Sequence, residues 1–418
     1  MVFIRTLLIL ALCLAAPTAV AAVDTVTRID DVKTLGEVTR INSTATVDVQ
    51  VGVHLVRIPS TEVLSVRFGE VEGGSSTPHD LLVLASGERY RVQVKPGVKA
   101  RLVCTGGGTL DGKNAIPFAD LRAWVPRPPP AIASPPGADE PGDVEEEPQA
   151  SRDPETIAEE LLDLKNDRDV VQLWSGDRMT GVVESVGPTE VVVSAKVGRV
   201  KVKREKIRGI AFSKTFKPYR DPPGLLAEAR LNDGSIVLGQ ISGSANGVFS
   251  LRSALGAVWK VSGKSVRKVV FRGGKLVWLS DVTAAKTSTS GFFNRTWEPR
   301  MNRSVWGNPL TVDGTVYEHG IGCHARTELE YHLDGKYVMF VSGIGIDDET
   351  KGAGAALFSI TGDGRPLLKP VEMKGRQKPR RIKLSVAGIR RLTLTVDFGK
   401  DQDFGDHADW LDARLIRK

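Results

Sequence analysis

The sequence predicts an all-β protein made of several small domains. Short runs of alternating or continuous apolar residues, such as Glu190-Val191-Val192-Val193-Ser194-Ala195, recur along the chain between glycine-containing turns. The chain has 43 glycines and 23 prolines among 418 residues, which favours strands and turns over long helices. A chain of this length is expected to form two or three domains.

The first 22 residues are typical of a secretory signal peptide. Arg5 precedes an apolar run from Leu7 to Ala15, and Ala19-Val20-Ala21-Ala22 supplies a small-residue cleavage signal. The apolar run is too short for a membrane-spanning helix, and no later stretch reaches the necessary length. We therefore expect an exported protein (periplasmic, cell envelope or extracellular) with no membrane span.

Four copies of one pattern follow the signal. The pattern has a turn with glycine, strands separated by a second turn, and a short segment that ends on an aromatic residue: Phe68, Trp124, Phe212 or Phe271. The first copy is worn down and keeps its closing segment, Ile58 to Phe68. Their size predicts small SH3-like β-barrels or sheets. One copy alone would bury little core, so we expect the copies to pack in pairs. They carry no convergent acid, base or nucleophile, which favours a role as spacers or protein-contact modules.

A linker interrupts the repeats at residues 126–155. It is rich in proline and acidic residues and cannot bury enough apolar area to fold. It separates two repeats at 23–125 from two repeats at 156–275. The second segment begins with a predicted amphipathic helix from Thr156 to Lys165, in which Ile157, Leu161 and Leu164 are at helical spacing.

Residues 277–418 carry the richest set of candidate functional groups. Six aspartates, His407 and Trp410 fall between Asp397 and Leu415, after a predicted strand at 392–396. Five blocks resemble the NPCBM domain, a family of carbohydrate-binding modules that is associated with glycoside hydrolase family 98. They are YEHGIGCHARTEL at 317–329, YHLDGKY at 331–337, IGIDDE at 344–349, TGDG at 361–364 and DHADW at 406–410.

The resemblance covers only the C-terminal third, and it implies a galactose-binding-like jelly-roll β-sandwich that binds galactose-type sugars at a loop rim. Matched positions carry this role to His324, His407, Asp409 and Trp410. Sugar recognition needs a flat apolar face and planar polar groups. Trp410 or Trp306 can supply the face. The candidate polar groups are His324, Arg326, Glu328, Asp347, His407 and Asp409.

Two structural alternatives stay open for this region. Asp409 and His407 can instead form a buried hydrogen-bonded pair that fixes the last strand. The aromatic residues between Phe292 and Trp306 can plug the end of the sandwich instead of binding a ligand.

Two charged clusters extend the list of candidates. Asp401, Asp403 and Asp406 offer oxygen ligands for a structural Ca²⁺, although their spacing lacks the rest of an EF-hand loop. The segment Lys374–Lys383 has six basic residues in ten. It is either a solvated loop or a contact for acidic polysaccharide or an anionic envelope surface.

No catalytic motif accompanies these features. The sequence has no G-x-S-x-G, H-E-x-x-H or phosphate-binding loop, and its acidic residues fall in turns of small β modules rather than across a cleft. The net charge of +7 is spread along the chain without a nucleic-acid motif. We expect an exported, non-catalytic, carbohydrate-binding protein. The alternative is a structural or assembly protein of the cell envelope that uses the sandwich and the repeats for protein contacts.

Overall fold

A computed structural model describes residues 23–69, 79–127, 153–214, 219–291, 296–399 and 405–418. Within these ranges the protein consists of 33 strands, one α-helix and several short 3-10 turns, which confirms the all-β class. The predicted signal peptide and nearly all of the predicted linker lie outside the described residues. No helix in the described ranges is long and apolar enough to cross a membrane.

Four units in the first two-thirds of the chain share one order of elements: four strands, a three-residue 3-10 turn and a fifth strand. Unit 1 contains β1 (Asp24–Arg28), β2 (Lys33–Asn42), β3 (Thr46–Val51), β4 (His54–Pro59) and β5 (Val63–Arg67). Unit 2 contains β6 (Asp80–Leu84), β7 (Arg89–Val94), β8 (Arg101–Gly106), β9 (Lys113–Pro117) and β10 (Leu121–Val125). Unit 3 contains β11 (Asp169–Leu173), β12 (Arg178–Val186), β13 (Glu190–Ala195), β14 (Gly198–Lys203) and β15 (Ile207–Ala211). Unit 4 contains β16 (Leu225–Leu231), β17 (Ile236–Gly243), β18 (Val248–Ser253), β19 (Val258–Ser262) and β20 (Val266–Gly273). The comparison of these units with SH3 barrels stays a prediction.

The first turn of each unit explains the recurring glycine. In units 2, 3 and 4 the turn places Gly87, Gly176 and Gly234 at φ between 84° and 88°. This left-handed conformation has no steric cost for glycine. Unit 1 has Asp31 there at φ 68°, and aspartate is one of the few other residues that tolerate it.

In three of the units, an aspartate at or near the start of the first strand is hydrogen-bonded to other parts of the same unit. Its carboxylate accepts hydrogen bonds from backbone N–H groups on the second strand and just beyond the fifth. The observed pairs are Asp24 with Val38 and Gly69, Asp80 with Arg127, and Asp169 with Val183 and Ser213. In unit 4 this position is Ala227, which pairs with Gly239 as Asp169 pairs with Gly181. There the hydroxyl of Ser43, from unit 1, accepts from Ile241 instead.

The units pair across the linker and not in sequence order. Fifth strands join in antiparallel fashion: β5 of unit 1 with β20 of unit 4, and β10 of unit 2 with β15 of unit 3. Strand β17 of unit 4 also pairs with β2 of unit 1. The sequence indicated that the linker separates two pairs, 1 with 2 and 3 with 4. That interpretation is wrong because a unit's fifth strand is an open edge, and sequence order does not determine which edge completes it.

Helix α1 (Pro154–Leu162) packs on the joint between units 2 and 3. Asp153 is its N-cap and accepts from the Thr156 N–H at 2.9 Å, and Pro154 occupies the first turn, where its missing N–H has no cost. Ile157, Ala158 and Leu161 are buried against Leu81, Val83, Ala123, Val125 and Ala211. The helix thus begins two residues before the predicted start.

The C-terminal domain is a sandwich of two antiparallel sheets. The first has the spatial order β23 (Arg300–Met301), β26 (Gly320–His324), β33 (His407–Arg417), β28 (Tyr337–Ile346), β31 (Arg380–Ser385), and β21 (Leu276–Trp278) also pairs with β33. The second has the order β22 (Lys286–Thr289), β27 (Thr327–His332), β32 (Arg391–Phe398), β29 (Ala355–Gly362), β30 (Arg365–Lys374). A hairpin of β24 (Leu310–Val312) and β25 (Thr315–Tyr317) covers part of the outer face of the first sheet, where Leu310 and Val312 pack on Leu411.

The C-terminal domain is docked on units 1 and 4 through both apolar and charged contacts. Ile29, Leu276, Trp278, Val341 and Ile416 form a buried cluster. Arg414 is fully buried, donates from Nε to the Ile29 carbonyl at 3.0 Å, and pairs with Asp31.

Asp169 of unit 3 allows a test of the hydrogen bonds that this recurring aspartate makes. Replacing Asp169 by alanine leaves the N–H groups of Val183 and Ser213 without an acceptor, and we expect a loss of about 1–3 kcal/mol in unfolding free energy. Asp177→Ala is the matched control because Asp177 is exposed in the neighbouring turn. Urea denaturation followed by circular dichroism measures both, and equal midpoints for the two variants would contradict the proposed role.

Candidate functional site

Strands β26 and β33 place two histidines side by side. In their antiparallel register His324 is directly opposite His407, and Gly322 is opposite Asp409. The ring centroids of the two histidines are 5.4 Å apart at an interplanar angle of 65°. Both histidines lie at one end of the first sheet, and they are 6% and 4% exposed.

Trp410 is on the opposite side of the same strand. Side chains alternate between the two faces of a strand, so Ala408 and Trp410 point into the core while His407 and Asp409 point outward. Trp410 is fully buried and packs edge-to-face against Phe358, with ring centroids 5.1 Å apart. A ring with no exposed surface has no face to offer a sugar. The assignment of Trp410 to the binding rim is therefore replaced by a core role.

Two other tryptophans surround the histidines. Trp297 is nearly parallel to His324, with centroids 5.8 Å apart and an interplanar angle of 20°. Trp306 meets His407 edge-to-face at 4.8 Å and is 56% exposed. We call Trp297, Trp306, His324 and His407 the His–Trp cluster. The exposed ring of Trp306 does not fit the interpretation as a buried plug, while Phe292 and Phe293 of the same segment lie outside the described residues.

Glu349 is hydrogen-bonded to two residues of the cluster, the His407 ring and the Trp306 backbone. One of its oxygens is 2.6 Å from Nδ1 of His407, and the other accepts from the Ser304 hydroxyl at 2.5 Å and from Asn308 Nδ2 at 3.0 Å. The Trp306 N–H also donates to Glu349, at 3.3 Å. Burial opposes ionisation of Glu349, but these donors outweigh it and lower its pKa. The anionic carboxylate therefore fixes the His407 ring with Nδ1 as the donor, which leaves Nε2 for other partners.

Asp409 lies beneath the cluster, next to Asp347. It is completely buried, and neither of its oxygens accepts a hydrogen bond from any described residue. Burial raises the pKa of Asp409 well above its usual range, and the neighbouring Asp347 raises it further. Asp347 is itself bound by the N–H groups of Thr311 and Glu349. Both effects favour the neutral form of Asp409, and Asp409 does not form the predicted hydrogen-bonded pair with His407.

The remaining predicted residues are not part of the cluster. Arg326 has a half-exposed side chain with ion pairs to Glu328 at 3.7 Å and Asp397 at 3.8 Å. Asp406 is buried and accepts from the Ala355 N–H. Asp401 and Asp403, the other two residues of the predicted Ca²⁺ site, lie outside the described residues. Among those described, no three His, Cys, Asp or Glu side chains gather as a metal would need, so calcium stays a prediction.

Sequence reasoning missed the central role of Glu349. It named Asp347, from the Asp347–Glu349 segment, as a candidate polar group, whereas Asp347 caps the 3-10 turn at Asp348–Thr350. Glu349 is separated from His407 by 58 positions, and only the folded sheet brings them together. A usable signal was its place in the IGIDDE block, directly after a long apolar strand.

Comparison with known proteins identifies the C-terminal domain. Residues 275–416 match the NPCBM/NEW2 domain, which confirms the resemblance. A candidate endo-alpha-N-acetylgalactosaminidase of Renibacterium salmoninarum is 32% identical over 110 residues, which are 26% of this chain and 7% of that protein. Alpha-1,3-galactosidase B of Akkermansia muciniphila is 31% identical over 121 residues, 28% of this chain and 15% of that protein. The chain thus spans a small fraction of the length of these relatives.

Solved structures also match part of the chain. The CBM51 module from Clostridium perfringens GH95, in complex with methyl-galactose, is 29% identical; the match covers 34% of this chain and 99% of that chain, with a TM-score of 0.31. The tandem CBM51 modules of a family 98 glycoside hydrolase from Streptococcus pneumoniae are 13% identical; the match covers 60% of this chain and 71% of theirs, with a TM-score of 0.30.

The raised pKa of Asp409 predicts that the stability of the protein depends on pH. A carboxyl whose pKa is raised in the folded state favours folding below its unfolded pKa of about 3.9, and that advantage is lost as the pH rises through the folded pKa. Asp409→Asn keeps the shape, donates to Asp347 and cannot ionise. We expect it to raise the melting temperature at pH 7 and to flatten the decline of stability above pH 4.

The matched control is Asp313→Asn, an exposed aspartate of the β24–β25 hairpin. Thermal unfolding between pH 4 and pH 8 compares the two variants with the unsubstituted protein. A melting temperature for Asp409→Asn that follows the Asp313→Asn curve at every pH would contradict a neutral, uncompensated Asp409.

Proposed function

Starting from an NPCBM/NEW2 domain at residues 275–416, we propose that the protein binds carbohydrate at the His–Trp cluster. The observation that carries this proposal is the ring of Trp306, 56% exposed and braced by the buried His407. Burying a tryptophan ring removes apolar surface from water and gains free energy, which an exposed ring does not gain. An exposed ring that is held in place is therefore typical of a surface that a ligand covers.

The cluster combines the two elements that sugar recognition needs. The Trp306 ring offers an apolar surface for the C–H face of a pyranose. His407 offers Nε2 for a sugar hydroxyl, because its Nδ1 is engaged by Glu349. Glu349 is buried with four donors around it, so we assign it the role of holding the histidine in place.

Galactose-type sugars are the ligand class we propose first. The two curated relatives are named for action on α-linked galactosides or N-acetylgalactosaminides, and they are 32% and 31% identical to this chain over 110 and 121 residues. We propose that the protein itself is exported and non-catalytic, since the sequence begins with a signal-like segment and carries no recognised catalytic motif.

A second candidate function is supported by exposed apolar side chains on unit 1. Leu35, Val51, Val53, Leu55 and Val56 are between 36% and 89% exposed, and four of them lie along the β3–β4 hairpin. Exposed apolar groups at one place are typical of a protein contact. The protein can therefore also serve as an assembly component of the cell envelope, with unit 1 as its contact surface.

Variants of the cluster test sugar binding. Trp306→Ala in the full chain is expected to weaken binding at least about tenfold, equivalent to about 1.4 kcal/mol, and Trp306→Phe is expected to retain part of the affinity. His407→Ala should also weaken binding because it removes the Nε2 contact and the brace for the indole. A glycan array identifies the ligand, and calorimetric titration with methyl galactosides measures the affinity.

The control is Val316→Ala, since Val316 is 62% exposed on the nearby hairpin β24–β25 but is not part of the cluster. An array without any bound glycan, or an affinity that is equal for Trp306→Ala and Val316→Ala, would refute the cluster as the site.

The assembly function is tested on the same chain. Val53→Asp with Leu55→Asp is expected to reduce self-association or partner capture without changing glycan binding. Sedimentation velocity over a range of concentrations measures the first, and a monomer at all concentrations for both the substituted and the unsubstituted protein would exclude self-association through unit 1.

A further inference from the structure

One margin of the C-terminal domain is strongly basic. Residues 365–391 contain ten lysines and arginines and a single acidic residue, Glu372. All ten basic side chains are exposed. The concentration is local, because the whole chain of 418 residues has a net charge of only +7.

The sandwich topology brings these residues to a common margin. Strand β30 is the last strand of one sheet and β31 is the last strand of the other. The chain passes between them through the loop 375–379, so the two edge strands and the loop are continuous. We call the exposed basic residues of 365–380 the basic margin: Arg365, Lys369, Lys374, Arg376, Lys378 and Arg380.

Most of the basic margin has no acidic partner in the described part of the chain. Arg381 and Lys383, farther along β31, are engaged by Asp31 and Asp30 of unit 1. Within the margin, Lys374 is 3.6 Å from Glu372. The other five form no ion pair with a described carboxylate, so their charges are available to an external anion.

The basic margin adjoins the His–Trp cluster. Arg376 donates from Nη2 to the carbonyl of Lys351 at 3.3 Å and lies against Gly352. Lys351 follows Glu349 by two residues, and Glu349 binds His407. A chain-like ligand whose end reaches the cluster can therefore continue over Lys351 and Arg376 onto the margin.

Protection of the sheet edge explains only part of this pattern. Lysine and proline on an edge strand prevent pairing with other chains, and Lys369 with Pro366 and Pro370 is sufficient for that on β30. Arg376 and Lys378 are in the loop, where there is no strand edge to protect. Their charge calls for another explanation.

We propose that the basic margin binds an anionic polysaccharide, carrying carboxylate or sulfate groups, whose neutral sugar end occupies the His–Trp cluster. This proposal rests on the proposed sugar binding and specifies the ligand's charge. Arginine and lysine bind such groups through charge-assisted hydrogen bonds, and exposed charges attract them over about 10 Å at 0.1 M salt. Continuity with the cluster favours an anionic glycan over nucleic acid or an anionic membrane.

The experiment compares a sulfated galactan with the same galactan after desulfation, both titrated against the full-length protein. The test variant is Lys374→Glu with Arg376→Glu and Lys378→Glu. The control variant is Lys113→Glu with Lys196→Glu and Lys206→Glu, which makes the same change in net charge at exposed positions of units 2 and 3. Equal melting temperatures of the two variants verify that both are folded.

We expect the unsubstituted protein and the control variant to bind the sulfated form about tenfold or more tightly at 0.05 M salt, and the preference to fade at 0.5 M salt as the charges are screened. The test variant should lose the preference while its affinity for the desulfated form is unchanged. Equal affinity of the unsubstituted protein for both galactans, or equal loss in the two variants, would overturn the proposal.

The outcomes also separate this inference from the proposed function. If Trp306→Ala has no effect on the desulfated galactan, the cluster is not the sugar site. If the cluster variant weakens binding but the charge variant does not alter the preference for sulfate, only the basic margin is wrong. Tighter binding to double-stranded DNA or to phosphatidylglycerol vesicles than to the sulfated galactan would assign the margin to those partners instead.

Discussion

The register between β26 and β33 is the constraint on which the site depends. It sets His324 opposite His407 and commits Asp409 to the same outer face, while Trp410 is turned into the core. A slip of one residue would exchange these faces and expose the large ring that now packs on Phe358. The burial of Trp410 therefore fixes the register, and the register in turn positions the histidines.

Docking onto units 1 and 4 gives this sandwich a fixed place in the protein. Arg414 is on the same strand as His407 and is buried against the Ile29 carbonyl and Asp31. A buried charge without its partner costs free energy. The Arg414–Asp31 pair therefore disfavours other orientations of the sandwich on units 1 and 4 more than it stabilises the fold. Arg230 also holds Glu318 through two hydrogen bonds at 2.5 and 2.6 Å. The repeats thus present the His–Trp cluster in a defined direction.

The sequence was sufficient for the all-β class and for naming His324 and His407, which the fold places side by side, but not for the contacts between strands. Alternating apolar runs and glycine turns are local signals, and they predicted the strands. The pairing of β5 with β20 joins residues that are 201 to 205 positions apart, and no local pattern encodes it. Trp410 was assigned to the rim because it is adjacent in sequence to Asp409, whereas adjacent residues on a strand face opposite sides. Glu349 escaped notice because its partner His407 is brought close only by the fold.

The pKa values of Glu349 and Asp409 are shifted in opposite directions because the surroundings of the two carboxyl groups differ. Glu349 receives four hydrogen bonds, so it remains charged and orients His407. Asp409 receives none from the described residues and lies beside Asp347, so its pKa is raised and its neutral form is favoured. Ionising Asp409 as well would place a further negative charge near Glu349 and weaken its preference for the anionic form. The neutral form of Asp409 thus favours the negative charge of Glu349, which fixes the His407 ring. A ring that is already fixed loses less conformational entropy when a ligand binds.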